Sequence, residues 1–278
     1  ACYLPRPHVP DAATVLPAVE AFWSDWSNRC TYHGKWREQV LRSLITLKAL
    51  SYTPTGGIVA APTTSLPEQP GGQRNWDYRF CWLRDATFTL LALMHAGYHD
   101  EAKAWGAWLR RSVAGTPSQV QTLYGLAGER WIQEWEVPWL AGYRGAKPVR
   151  IGNAASEQVQ LDVYGELLDA LYQEVHGGLV KPQESWDLVS ALVGHLAEIW
   201  QQPDESIWEV RGGARQFTFS KAMAWVALDR AVRWAEEFHL DGPLDDWRAL
   251  RECIHESVCR HGFNTAKGAF VQSYGSDE

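Results

Sequence analysis

Eleven residues, Asn75-Trp76-Asp77-Tyr78-Arg79-Phe80-Cys81-Trp82-Leu83-Arg84-Asp85, set four aromatic rings beside four charges. A plain core segment has no use for Asp77, Arg79, Arg84 and Asp85, and a plain solvated loop has no use for Trp76, Tyr78, Phe80 and Trp82. Flat rings beside hydrogen-bonding charges suit a sugar, whose C–H face packs on a ring and whose hydroxyls need donors and acceptors. The same residues also suit a buried ion-pair network wedged between rings, with Asp85 as a helix N-cap and Arg84 in a bidentate salt bridge to Asp85 or Asp77.

A second candidate is Gln202-Pro203-Asp204-Glu205-Ser206-Ile207-Trp208-Glu209-Val210-Arg211-Gly212. Its three acids lie between two helical patterns, where solvated loop acids are also common. A carboxyl that must give up a proton near neutrality needs a raised pKa, and Ile207 and Trp208 offer Glu209 an apolar wall that would raise it. Pairing with Arg211 would work the other way. Cys253, His255, Cys259 and His261 have the look of metal ligands. On a helix, however, His255 and Cys259 share a face from which Cys253 points away, so a closed four-ligand zinc site does not form and the cluster reads as ordinary helix residues. No Gly-rich phosphate loop and no HExxH stand out.

Composition narrows the field. The net charge of −7 is spread along the chain without runs, so nothing draws it to nucleic acid or to an anionic membrane. No apolar run approaches the ~20 residues of a membrane span, and no secretory signal is recognisable. Five cysteines, an odd number without a CxxC, read as reduced thiols, so a cytoplasmic location is expected. Sixteen tryptophans exceed ordinary usage several-fold and fit either helix interfaces or a sugar cleft.

The elements that must position these residues are helices. After a Pro-rich, extended stretch over 1–12, apolar residues recur at helical spacing over about 13–29 and 35–51. Residues 53–72 have no period and many Gly, Pro and Thr, the mark of a long functional loop. Helices are expected from Asp85 to Gly97, over 99–113, and over 157–175, where Val159, Val163, Leu167, Leu171 and Val175 repeat at i+4. Three more follow over 184–201, 217–238 and 243–260. The intervening 115–156 is irregular with short helical pieces, the tail suits a hairpin at Lys267-Gly268, and no strand is expected elsewhere. Periodicity alone therefore supports an all-α array of helix pairs with long loops, toroid or solenoid.

The opening motif, with Pro62-Thr63-Thr64-Ser65-Leu66-Pro67 and Gly71-Gly72 before it, resembles the first signature of glycoside hydrolase family 15, the inverting exo-acting glucosidases (glucoamylase, glucodextranase and a bacterial trehalase branch). The resemblance continues at Pro148-Val149-Arg150-Ile151-Gly152-Asn153-Ala154-Ala155, at Gln158, Gln160 and Asp162, and at the Trp208-Glu209 segment, and spans nearly all of 20–278. It implies an incomplete (α/α)6 toroid of helical hairpins, with residues 1–30 as linker tail and helix and 31–278 as the N-terminal part of a catalytic domain. It implies Glu209 as the general acid that protonates the departing glycosidic oxygen. Trp82 takes the place of a ring lining the subsite for the non-reducing glucose, Arg84 and Asp85 the places of groups that bind its hydroxyls, and Tyr78 that of a tyrosine near the nucleophilic water. Trp208 stands beside the acid in the same pocket, and Asp162 reads as either a pocket residue or a polar residue on a helix face. Fungal members carry a second Glu after the acid; Val210 stands there, so that substrate contact is not carried over.

Inverting hydrolysis needs a second carboxylate about 6.5–9.5 Å from the first, as base for a water. In the family it lies far towards the C-terminus, so the expectation is a piece of a longer protein with the base outside this chain, inactive or nearly so alone. An open toroid would also expose apolar helix faces, for self-association or a completing chain. The expected ligand is an oligosaccharide or disaccharide of glucose, either maltooligosaccharide or trehalose. No cofactor is implied, since two carboxylates and water suffice. The competing reading is a non-catalytic sugar-binding or regulatory toroid; a helical-repeat scaffold gives no reason for the charged aromatic motif.

Overall fold

The computed structural model describes residues 11–277. The Pro-rich stretch therefore lies almost wholly outside the described residues. Helix α1 (Ala12–Asn28) opens with the Asp11 carboxylate accepting from the Ala13 N–H, and α2 (Arg37–Ala49) follows. Three helical hairpins come next: α3 (Leu83–His95) with α4 (His99–Ser112), α5 (Asp162–His176) with α6 (Trp186–Ile199), and α7 (Thr218–Phe238) with α8 (Leu244–Ser257). Residues 258–262 extend α8 as a short π-helical turn.

The hairpins alternate in character. Buried residues wrap almost all of α5 and several faces of α3 and α7, which pack on one another as an inner row. Helices α4, α6 and α8 bury one stripe each and form an outer row. A helix apolar on one stripe needs one partner, whereas a helix buried all round must sit between others. The inner row is tight: a Cβ on Gly165 of α5 would collide with the backbone carbonyl of Met223 in α7. The result is the expected all-α arc of helical hairpins. Phe88, Trp208 and Phe270 remain exposed. Among the described residues no helix is long and apolar enough to cross a membrane.

The helices fall where their apolar spacing predicts, with three differences at their ends and between them. Asp85 is not an N-cap. Trp82, in extended backbone, holds that position, and Asp85 lies in the first turn of α3. Trp82 is fixed there because β1 (Cys81–Trp82) pairs with β2 (Leu123–Tyr124) and the Leu83 N–H donates to the Thr122 carbonyl, so the helix starts as soon as the strand ends. Helix α5 begins five residues later than its pattern suggests, since 154–157 form a 3-10 turn and 158–160 belong to no helix and bond to the loop after α6, with Leu161 as the N-cap. Besides the expected hairpin of β5 (Phe263–Asn264) with β6 (Ala269–Phe270), β1–β2 and the pair β3 (Trp135–Glu136) with β4 (Arg150–Ile151) are strands the sequence did not reveal; two residues are too few for alternation to show.

Candidate active site

The opening stretch divides into two halves with different work. Asp77 is fully buried and takes both the Arg79 Nε and Nη2 donors at 2.9 and 2.8 Å, while its Oδ2 accepts the Gly152 N–H. That half is the ion-pair network the composition allowed, and it fastens the 53–80 loop to the 150–153 segment. Arg84 is drawn into neither Asp77 nor a tight pair with Asp85, which stays 3.9 Å away. It points instead into a cleft of about 730 Å³ at one end of the inner helices, within the size range of small-ligand sites.

Tyr78, Trp82, Arg84, Asp85, Trp208 and Glu209 all line this cleft. The start of α3 supplies Arg84 and Asp85, and β1 supplies Trp82 with its ring 3% exposed. The loop between α6 and α7 supplies Glu209. There the Glu209 Oε1 accepts from the Trp82 Nε1 at 3.2 Å and from the Arg84 Nη2 at 3.0 Å. Residues 125 and more apart in sequence thus meet at one carboxylate. Burial works against the Arg84 charge, yet Glu209, Asp85 and Asp162 outweigh it and hold its pKa above the ordinary value. The Tyr78 ring leans on Trp82 at 5.7 Å between centroids, and its hydroxyl pKa is raised by burial first and then by Glu68 and Glu209.

Asp162 sits behind the cleft rather than in its wall. It is the first residue of α5, fully buried, with Oδ2 3.6 Å from the Arg84 Nη1. Burial pushes its pKa up to about 6 against the pull of Arg84. One turn on, the equally enclosed Glu166 is pushed up to about 7, by burial first and then by Asp162. Gln158 lines the cleft and reaches the Val210 carbonyl at 3.4 Å, while Gln160 turns aside to the Gln158 amide oxygen.

The loop that carries Glu209 is held by particular contacts. Buried Asp204 accepts the Leu161 N–H at 3.0 Å and exchanges backbone bonds with Arg215. Ser206 and Glu209 itself both have positive φ, 60° and 46°, a conformation that costs a non-glycine residue of order 1–3 kcal/mol and clusters at functional sites. Trp208 between them is 73% exposed, so it flanks Glu209 without closing over it. The pairing of Arg211 with Glu209 does not occur. Arg211 turns away to Glu134, and Arg84 is the cation on Glu209.

Two residues that brace the acid-bearing loop carried little readable signal. Glu134 lies in a stretch without period. Buried Lys221, whose Nζ donates to the Trp200 and Gln202 carbonyls at 2.5 and 2.6 Å, sits on the apolar pattern of α7; burial lowers its pKa to about 8. A lysine at a core position of a helix was the one available hint. On α8 the expected shared face appears as His255 Nε2 and Cys259 Sγ 3.6 Å apart, and no group of three or more metal-ligating side chains occurs among the described residues.

Known proteins resemble this chain in sequence and in fold. The family model described as glycosyl hydrolases family 15 matches residues 34–278. A trehalase of Mycobacterium tuberculosis is 40% identical over 272 residues, 96% of this chain and 40% of its own length. A trehalase of Thermoplasma volcanium is 38% identical over 261 residues, 94% of this chain and 42% of its own. The chain thus spans about two-fifths of the length of these relatives. Among solved structures, a wild-type glycosidase superposes with a TM-score of 0.65 at 15% identity, covering 86% of this chain and 60% of the other. Glucoamylase from Saccharomycopsis fibuligera gives 0.59 at 15% identity, covering 92% and 53%. These two likenesses concern the fold alone, and with it the arc of hairpins is an incomplete (α/α)6 toroid.

Proposed function

The chain belongs to glycosyl hydrolase family 15, and from that premise we propose that it forms the glucose-gripping and acid-bearing part of an inverting trehalase. The observation that carries this reading is the meeting of Glu209 with Trp82 and Arg84 at one cleft. Trp82 lines the subsite for the non-reducing glucose, and Arg84 and Asp85 take its hydroxyls. The sugar competes with Glu209 for the Arg84 guanidinium. Glu209 gives its proton to the glycosidic oxygen as the bond to the anomeric carbon breaks. A water activated by a general base outside this chain attacks that carbon from the opposite face, so one glucose is released as the β-anomer and the other, carrying the proton from Glu209 on its anomeric oxygen, as the α-anomer. Trehalose, rather than a maltooligosaccharide, is the substrate favoured by relatives named trehalase at 38–40% identity.

Glucose release from trehalose and from maltotetraose by the full-length protein tests the reading. Trehalose should be cleaved and maltotetraose spared, and Glu209→Gln should lower kcat by about 10²–10⁴-fold, the usual contribution of a positioned acid. Cleavage of maltotetraose alone would move the site to glucoamylase-type action. Binding of either sugar without cleavage of any would make the domain a sugar-binding module.

A further inference from the structure

Arg211 is a charged residue of the acid-bearing loop that lines the cleft and that the proposed chemistry leaves unused, and it is held by several contacts. Its Nη1 and Nη2 donate to the two oxygens of Glu134 at 3.1 and 2.8 Å, a bidentate pair. Its guanidinium also lies 4.1 Å from the centre of the Trp76 ring. Glu134 is anchored in turn: the Ala154 N–H donates to its Oε2 at 3.2 Å, and the Arg150 Nε stands 3.5 Å from its Oε1. Burial alone would raise the Glu134 pKa, but Arg211, the Ala154 N–H and Arg150 bring it below the ordinary value, so it stays an anion at neutral pH. Arg150 also lies over Trp76, at 4.5 Å.

The position of this cluster matters because of how the loop is tethered elsewhere. On the side before Glu209, Asp204 and Glu205 bond to residues 159–161. After Glu209, Gly212 and Gly213 stand in open space, with Gly213 at a positive φ of 96°. Glu209 itself sits in the left-handed region, which its own sequence does not favour. Beside the Val210 carbonyl on Gln158 and the backbone pairing of Arg215 with Asp204, Arg211, two residues on, fastens the far limb of the loop by its side chain to Glu134 at the rim of the cleft.

We propose that Arg211 and Glu134 form a clasp at the rim of the cleft that positions Glu209 against the departing oxygen; this rests on the reading of Glu209 as the general acid. Arg211 is a positioning residue. It acts on the proton-donating step and not on the grip of the non-reducing glucose, which α3 and β1 supply.

The test compares two leaving groups in the full-length protein. The departing glucose of trehalose would be an alkoxide without a proton from the acid, whereas fluoride leaves from α-glucosyl fluoride without one. With Arg211→Ala or Glu134→Gln, kcat for trehalose should fall on the order of 10²-fold while kcat for the fluoride changes by less than about threefold, the signature of a misplaced acid. Arg211→Lys, which keeps the charge but loses the bidentate fork, should fall between. Equal losses on both substrates for Glu134→Gln, whose shape is unchanged, would overturn the clasp, and so would no loss on either. Wild-type protein that cleaves neither substrate would overturn the hydrolase reading instead.

Discussion

The two walls of the cleft are built on opposite principles. One wall is the start of α3, where Trp82 is locked by β2 and Arg84 and Asp85 project from a helix whose inner face is buried. The other is the loop between α6 and α7, where Glu209 is held in the left-handed region by loop contacts to two separate segments, 158–161 and Glu134. A strand–helix junction fixes geometry through packing, and a loop fixes it through individual polar contacts. The site thus pairs a rigid grip with a separately adjustable acid, and the two should fail differently when disturbed.

The largest effect should come from the rigid wall. Arg84→Lys keeps a positive charge beside Asp162 but loses the fork that reaches Glu209 and the cleft together. The value of kcat/KM for trehalose should drop on the order of 10²-fold or more, as for any misplacement of about an ångström at a reacting centre. Unlike the Arg211 variants, it should lose α-glucosyl fluoride hydrolysis as well; a loss confined to trehalose would erase the distinction between the walls. Trp82→Ala should cost roughly 3–5 kcal/mol of stability in denaturant unfolding, the usual toll of emptying a buried Trp site. Trp208→Ala, on the loop and largely exposed, should stay within about 0.5 kcal/mol. If the two tryptophans cost the same, the loop is packed more firmly than its exposure indicates.

Beneath both walls lies a smaller, pH-dependent effect. The Glu166 carboxyl is pushed up to about 7 in the folded protein, above its ordinary 4.5. The folded state therefore holds a proton that the unfolded chain has released. Stability from this group is complete below about pH 4.5 and is lost as pH rises through 7. Glu166→Gln should leave stability unchanged at pH 4.5 and raise it by about 1–3 kcal/mol at pH 8, read from urea midpoints at the two values. A gain that is the same at both pH values would mean that the carboxyl is not the source.

How much of this was legible follows from the range of each interaction. The helices were readable because apolar residues recur at i+4 over several turns, as Val163, Leu167, Leu171 and Val175 do in α5. The start of α3 was misplaced at Asp85 because the strand that really ends there is two residues long and its partner lies some forty residues away. At the site, Tyr78, Trp82, Arg84, Asp85, Trp208 and Glu209 could be named from their motifs, and the structure gathers them around one cleft. Their pairings could not be named. Arg211 stood two residues from Glu209, so the local partner was the natural guess, yet Glu134, 77 residues away, holds it. Asp162 looked like a helix-face polar residue because nothing near it in sequence reveals that Arg84 lies alongside.

The contact at Gly165 has a consequence for anyone who would retarget this cleft. With the backbones of α5 and α7 touching there, the inner row has no slack to give, and even a single added methyl would wedge two helices apart. New specificity must therefore be written into the 53–80 and 203–216 loops, where open space surrounds Gly71, Gly212 and Gly213. The helical frame is better left as a fixed chassis.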